Sequence, residues 1–188
     1  MRKVILQEFV TVDGMAAGPD GSVDFVPASN SGDQRFGQRQ IDFMDSIDAI
    51  LLGRVTYEMF AGYWPNVAVG AEDKVFADKI NATPKIVFSR TLESAPWGSF
   101  EPARIVKTSP AEELARLKQG AGKDMVVWGS ISLAQALLDD GAIDEVQLVI
   151  CPLALGGGRT LFGDRTLDLK LAKTETFERG SALLTYKT

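Results

Sequence analysis

The 188-residue chain has no histidine and only one cysteine, Cys151. Without histidine there is no Ser-His or Cys-His nucleophilic pair, no imidazole-bound zinc, and no side chain that ordinarily titrates near neutrality. A lone cysteine excludes an internal disulfide and a thiolate cluster, so no metal site is expected. Long apolar runs are missing as well: none approaches the roughly 20 residues needed to span a bilayer. The opening Met1-Arg2-Lys3-Val4-Ile5-Leu6-Gln7-Glu8 reaches an acidic residue too early for a secretory leader, so a cytoplasmic protein without a membrane partner is expected. Positive charge is in deficit, with 20 Lys and Arg against 25 Asp and Glu. A net charge of −5 argues against bulk attraction to nucleic acid, yet it allows a local cationic pocket. Any chemistry must therefore come from carboxylates, hydroxyls, water or a cofactor.

What is present is globular in composition, and its length suits one domain spanning 1–188. Strand and helix patterns alternate, which predicts an α/β architecture. Residues 4–10, 49–52, 85–88, 104–106 and 125–128 read as strands buried on both faces. Helical patterns fall at 31–46, 55–61, 72–80, 110–118 and 131–139. After Gly141 the alternation stops. Strands at 145–150, 167–177 and 182–187 follow without a helix, joined by a glycine loop and the turn Arg179-Gly180-Ser181. The sheet should begin parallel and end in an antiparallel hairpin.

In the first helix, Ser31 and Gln34 form a capping-box pattern. Phe36, Phe43, Met44 and Ile47 share one face at 100° per residue, and Asp33 and Gln40 fall on it too. A polar group there must find a partner or line a cleft. Asp33 can serve as a proton source or merely favour the helix start electrostatically. Gln40 can meet a substrate or sit at the edge of the buried face.

Three strand-to-turn junctions have the character of phosphate sites. Gly53-Arg54-Val55-Thr56 places a glycine, a cation and a hydroxyl at a helix start, where backbone amides bind anions. Phe88-Ser89-Arg90-Thr91 follows another strand, and Trp128-Gly129-Ser130-Ile131 runs from strand into helix. Helix capping explains any one of them. Three together suggest a ligand with several phosphates at the carboxyl edge of a sheet. Leu155-Gly156-Gly157-Gly158-Arg159 lacks the strand-then-helix setting of a nucleotide loop, and it reads as a turn or as backbone approaching a ligand.

Taken in order, Val12-Asp13-Gly14-Met15-Ala16, Leu52-Gly53-Arg54-Val55-Thr56-Tyr57-Glu58, Phe88-Ser89-Arg90-Thr91, Val127-Trp128-Gly129-Ser130 and Pro152-Leu153-Ala154-Leu155-Gly156-Gly157-Gly158 resemble the dihydrofolate-reductase-like superfamily. The closer likeness is to the reductase domain of riboflavin biosynthesis, the RibD C-terminal family. The resemblance implies a three-layer fold, a homodimer, and NADPH across the carboxyl edge. It assigns Gly53, Arg54, Thr56, Ser89 and Arg90 to the adenosine phosphates and Gly129, Ser130 and Ile131 to the pyrophosphate. The loop from Asp13 to Ala17 would border the nicotinamide. By this likeness the chain would reduce a small heterocycle, as 5-amino-6-(5-phosphoribosylamino)uracil reductase does, with Asp13 and Asp33 as candidate acids. Gln40 and Arg159 would be its substrate contacts. Dihydrofolate reduction and a non-catalytic NADP-binding module are the alternatives. Folate reductases carry a carboxylate on the first helix about sixteen residues before the glycine matching Gly53; here that position is Gly37.

Overall fold

The computed structural model describes residues 2–188. Its first half contains β1 (Val4–Thr11), β2 (Met15–Ala17), α1 (Phe25–Asn30), α2 (Gln34–Ser46), β3 (Ile47–Gly53), α3 (Arg54–Tyr63), α4 (Lys74–Ala82) and β4 (Lys85–Phe88). The second half adds β5 (Arg104–Val106), α5 (Pro110–Lys118), β6 (Asp124–Trp128), α6 (Ile131–Asp139), β7 (Glu145–Cys151), β8 (Arg159–Thr160), β9 (Lys170–Thr176) and β10 (Ala182–Lys187). The main sheet runs β5-β4-β3-β6-β1-β7-β10-β9. All neighbours from β5 to β7 are parallel, and β10 and β9 are antiparallel, as the sequence pattern predicts.

The central strands carry apolar side chains on both faces because helices cover both. Val4, Leu6, Val127 and Val146 pack with Leu114 of α5 and Leu133, Ala134 and Leu137 of α6. On the opposite face Ile5, Ile50, Leu52 and Val126 pack with Phe43 of α2, Tyr57 of α3 and Ile80 of α4. Each such side chain contributes roughly 1.5–3 kcal/mol on burial, which makes the middle of the sheet the stable frame of the molecule. The chain winds toward β5 from β3, then returns through β6 and crosses α6 to β7. The winding therefore changes direction beside β1, which is where open α/β sheets form their crevice.

Two expectations are corrected. The helix expected at 31–46 starts only at Gln34, and a separate short helix, α1, precedes it, the two parted at Gly32 with φ 77°. Ser31 does not open a capping box; its amide closes α1 on Pro27 O at 2.9 Å, and Asp33 caps α2. The short pair β2–β8, a separate antiparallel ribbon, was not expected. Among the described residues no helix is long and apolar enough to cross a membrane.

Candidate functional site

β4, β3, β6 and β1 are successive neighbours, so the turns that follow them stand side by side at the carboxyl edge. Three strand spacings put them within about 15 Å. The turns after β3 and β6 are interlocked: Gly53 N donates to Ser130 Oγ at 2.7 Å, and Ser130 N donates to Thr56 Oγ1 at 2.9 Å. Glycine is required for this closeness. A Cβ on Gly129, at φ 53°, would lie 3.0 Å from Thr56 Cγ2. Ser130, at φ 59°, is the one non-glycine residue with positive φ among the described residues. Gly129 takes this conformation freely, whereas the left-handed Ser130 is strained and persists only where its surroundings hold it.

Neither α3 nor α6 has a side-chain cap at its start, whereas Asp33 caps α2 and Ser109 caps α5. The first amides of α3 and α6, including that of Ile131, are thus donors aimed out of the carboxyl edge. Ser89 Oγ instead accepts from Thr91 N at 3.3 Å and Leu92 N at 3.1 Å, shaping its own turn. Arg90 has no ion-pair partner among the described residues. Arg54 does: its Nη1 lies 2.9 Å from Glu58 one turn along, so it is not the free cation the sequence suggests.

Asp13 braces rather than reaches outward. It accepts from the Thr11 hydroxyl, from Gly156 N at 2.7 Å and from Leu155 N at 3.1 Å. The Thr11 hydroxyl and these amides hold its carboxyl below the ordinary aspartate range. The glycine run is therefore fastened to the β1–β2 loop. A side chain on Gly158 would strike the carbonyl of Ala17, and β2 pairs with β8 through Met15–Thr160 and Ala17–Arg159. Arg159 is exposed on that ribbon, with no ion pair among the described residues.

Asp33 is buried, but not as an acid. Its oxygens accept from Phe36 N at 2.9 Å and Arg179 N at 2.8 Å. Burial pushes the carboxyl up, yet the amides of Phe36, Arg179, Glu178 and Arg35 together hold it below the ordinary value. A carboxylate kept ionised in this way is a helix cap, so the expected proton source is withdrawn. Gln40 is likewise committed to the interior: its Nε2 donates to Gln7 Oε1 at 2.9 Å. That oxygen also accepts from Trp128 Nε1 at 2.8 Å, while Gln7 Nε2 donates to Gln147 Oε1 at 2.9 Å.

Sequence reasoning missed Gln7 and its neighbour Glu8. Burial pushes the Glu8 carboxyl up to about 8, against one hydrogen bond from the Phe9 amide, and its Oε2 has no partner. Two adjacent polar residues in a strand buried on both faces were the available signal.

Two surface cavities lie at the other end of the sheet. One of about 360 Å³ includes Lys3, Arg39, Asp124 and Glu145; another of about 550 Å³ includes Arg2, Asp48, Lys85 and Arg104. Their charges are largely paired within the chain, as in Arg2–Asp48, Lys3–Glu145 and Arg104–Glu113. Ligand chemistry is better placed at the carboxyl edge, where donors lack partners.

Comparison with known proteins agrees with this architecture. The chain belongs to the RibD C-terminal domain family, matched over residues 2–183. It is 32% identical over 187 residues to the uncharacterized protein YyaP of Bacillus subtilis (strain 168), covering 98% of this chain and 94% of that one. The uncharacterized protein YwjB of the same organism is 30% identical, covering 97% and 95%. Among solved structures, a putative riboflavin biosynthesis protein from Shewanella sp. PV-4 superposes with a TM-score of 0.76 at 23% identity, over 98% of both chains. A Thermotoga maritima diaminohydroxyphosphoribosylaminopyrimidine deaminase/5-amino-6-(5-phosphoribosylamino)uracil reductase gives 0.65 at 16% identity, over 99% of this chain and 56% of that one. These likenesses establish the dihydrofolate-reductase-like fold, and membership of the family supports a reductase-like role.

Proposed function

We propose that residues 1–188 act as one NADPH-dependent reductase unit that transfers hydride to a carbonyl or imine of a small heterocycle, as a 5-amino-6-(5-phosphoribosylamino)uracil reductase would. The observation that carries this reading is the pair of uncapped helix starts, α3 and α6, locked side by side through Gly53, Thr56 and Ser130. Such starts are suited to phosphate oxygens. Gly53, Thr56, Gly129, Ser130 and Ile131 would hold the pyrophosphate region. Ser89 and Arg90 would hold the 2′-phosphate, with Arg54 joining only by leaving Glu58.

A bound reduced nicotinamide supplies the hydride. The protein positions the substrate and excludes water by closing the Asp13–Ala17 loop and the glycine run as one fastened piece. Since Asp13 and Asp33 are both held ionised by backbone amides, the proton comes from water. The same two commitments favour, as a second reading, a module that binds NADP without turnover. Loss of reduced-nicotinamide absorbance with a panel of aminopyrimidines and dihydropterins separates the two. Turnover of a pyrimidine but not of dihydrofolate is expected, because Gly37 brings no acid to the first helix. Tight NADPH binding without turnover of any of them would establish the non-catalytic module.

A further inference from the structure

Among the described residues four buried side-chain polar atoms lack a hydrogen-bond partner, and three of them converge: Ser29 Oγ, Asn30 Oδ1 and Ser181 Oγ. They meet around Cys151. Thr11 ends β1 in register beside Cys151 at the end of β7. Ala182 pairs with Ile150, so Ser181 falls beside Cys151 on the other side. Strand alternation turns residues 151 and 181 to the face shared by Val149 and Leu183, which α2 covers through Phe36. α1 closes the row from above. Asn30 Nδ2 lies 3.7 Å from Cys151 Sγ while donating to Val26 O at 2.9 Å, and Ser29 faces the same thiol without a hydrogen bond of ordinary geometry. Ser29, Asn30, Cys151 and Ser181 are 5%, 8%, 0% and 1% exposed.

Buried donors and acceptors normally find partners, and each that does not carries an uncompensated loss of hydration. α1 buries Phe25 at its start, but its last turn presents Ser29 and Asn30 to the sheet, a polar end suited to something polar beneath it. The row is uncharged. Burial keeps the Cys151 thiol protonated, and the nearby Asp33 carboxylate is committed to backbone amides. An ionic group there would have no counter-charge. Just below on the same face, Phe9, Phe36 and Phe177 pack edge to face and offer an apolar wall to a planar ring.

We propose that Ser29, Asn30 and Ser181 form a binding site for the neutral amide or ureide edge of a small heterocycle, closed over by α1. Asn30 Oδ1 accepts a ring N–H, and the two serine hydroxyls serve the adjoining N–H and C=O. Entry requires α1 to lift. That helix has no side-chain N-cap, and it is flanked by Gly21 and Gly32 at φ 87° and 77°. Lifting lets water reach the unpartnered groups, which offsets part of the cost of opening. The proposal deepens the reductase reading by naming the edge of the substrate that is held, but its test needs no turnover.

The probe is 5,6-diaminouracil, a planar ureide. In the wild-type protein it should bind by calorimetry and slow amide hydrogen exchange at Ala28 and Ser31, the amides that close α1. Ser29→Ala and Ser181→Ala should each melt no lower than wild type, because an unpartnered hydroxyl is removed, and each should weaken probe binding at least tenfold. Variants that melt clearly below wild type would mean that a fixed water already satisfies the hydroxyls, and the site would be refuted. No probe binding, or binding unchanged in both variants, overturns it as well. Probe binding as expected without NADPH-dependent turnover would defeat the reductase reading and leave this site standing.

Discussion

At the amino end of the sheet, charge is answered by charge within the chain. Arg2 meets Asp48, Lys3 lies 3.6 Å from Glu145, and Lys118 lies 2.6 Å from Asp144. The carboxylates of Asp124 and Asp144 also take the amides of Lys3 and Val4. At the carboxyl end, between β4 and β1, the joints are instead made by neutral hydroxyls and glycines, and two helix starts are left uncapped. Both ends belong to the same strands, so the difference arises in the turns. A self-sealed end has nothing left to offer a ligand, whereas an end with spare donors awaits one. The pockets at the sealed end are lined by groups already paired within the chain, so concavity alone does not identify a site.

The comparison breaks most completely at Gly129. Gly129→Val forces a β-branched side chain into a left-handed turn against Thr56, and NADPH binding should be abolished while a cooperative melt persists. Calorimetric titration beside thermal melting checks both halves; retained affinity would make the junction a structural joint like those at the amino end.

The next largest effect concerns the buried Glu8 carboxyl, whose Oε2 has no partner and whose burial outweighs its one hydrogen bond from the Phe9 amide. Glu8 is raised from 4.5 to about 8 by burial, so the folded state holds a proton that the unfolded chain releases. Its stabilisation is complete below pH 4.5, falls as pH rises, and is gone above about 8. With a slope of about 1.4 kcal/mol per pH unit within that window, Glu8→Gln should be more stable than wild type at pH 9 by several kcal/mol. The two should approach each other near pH 5. Urea melts across this range measure it, and parallel curves would show that Glu8 is ionised throughout.

Arg90→Ala should lower NADPH affinity roughly ten- to hundredfold and leave NADH nearly unchanged, since a charge-assisted contact is worth about 1.5–3 kcal/mol. Equal losses for both cofactors would remove the 2′-phosphate from Arg90 and reopen the case for Arg54. Smallest is Asp33→Asn, because asparagine also caps helices: a loss of at most about 1–2 kcal/mol is expected, with single-turnover hydride transfer unaltered. A rate that falls while the melt holds would restore Asp33 as an acid.

Helices and buried strands of the main sheet were legible from the sequence. The patterns at 85–88, 104–106, 110–118, 131–139 and 182–187 coincide with β4, β5, α5, α6 and β10 because packing and local preference agree there. The ribbon β2–β8 was not: unlike β4 and β5 its short strands stand outside the main sheet, and they pair where Gly158 comes close to the Ala17 carbonyl, a contact no local pattern announces. At the carboxyl edge, residue types pointed to the junctions, but partner choice was largely hidden. Nothing in the spacing shows that Ser130 locks to Gly53 and Thr56, whereas the i,i+4 spacing of Arg54 and Glu58 on α3 did carry the signal for their ion pair. Helical phase correctly buries Asp33 and Gln40 but does not say what each would meet: two backbone amides in one case, Gln7 in the other.

Gln7 also has a consequence for how the sheet is assembled. A slip of β1 by one residue would turn Leu6 or Glu8 toward the places where Gln40, Trp128 and Gln147 now find their partner. Three buried groups would be orphaned at roughly 1–3 kcal/mol each, a sum comparable to the whole stability of an ordinary domain. The glutamine thus proofreads strand alignment: mispaired versions of the central strand leave groups of β6, β7 and the docked α2 without partners, and only the correct register brings the carboxyl-edge turns to matching heights.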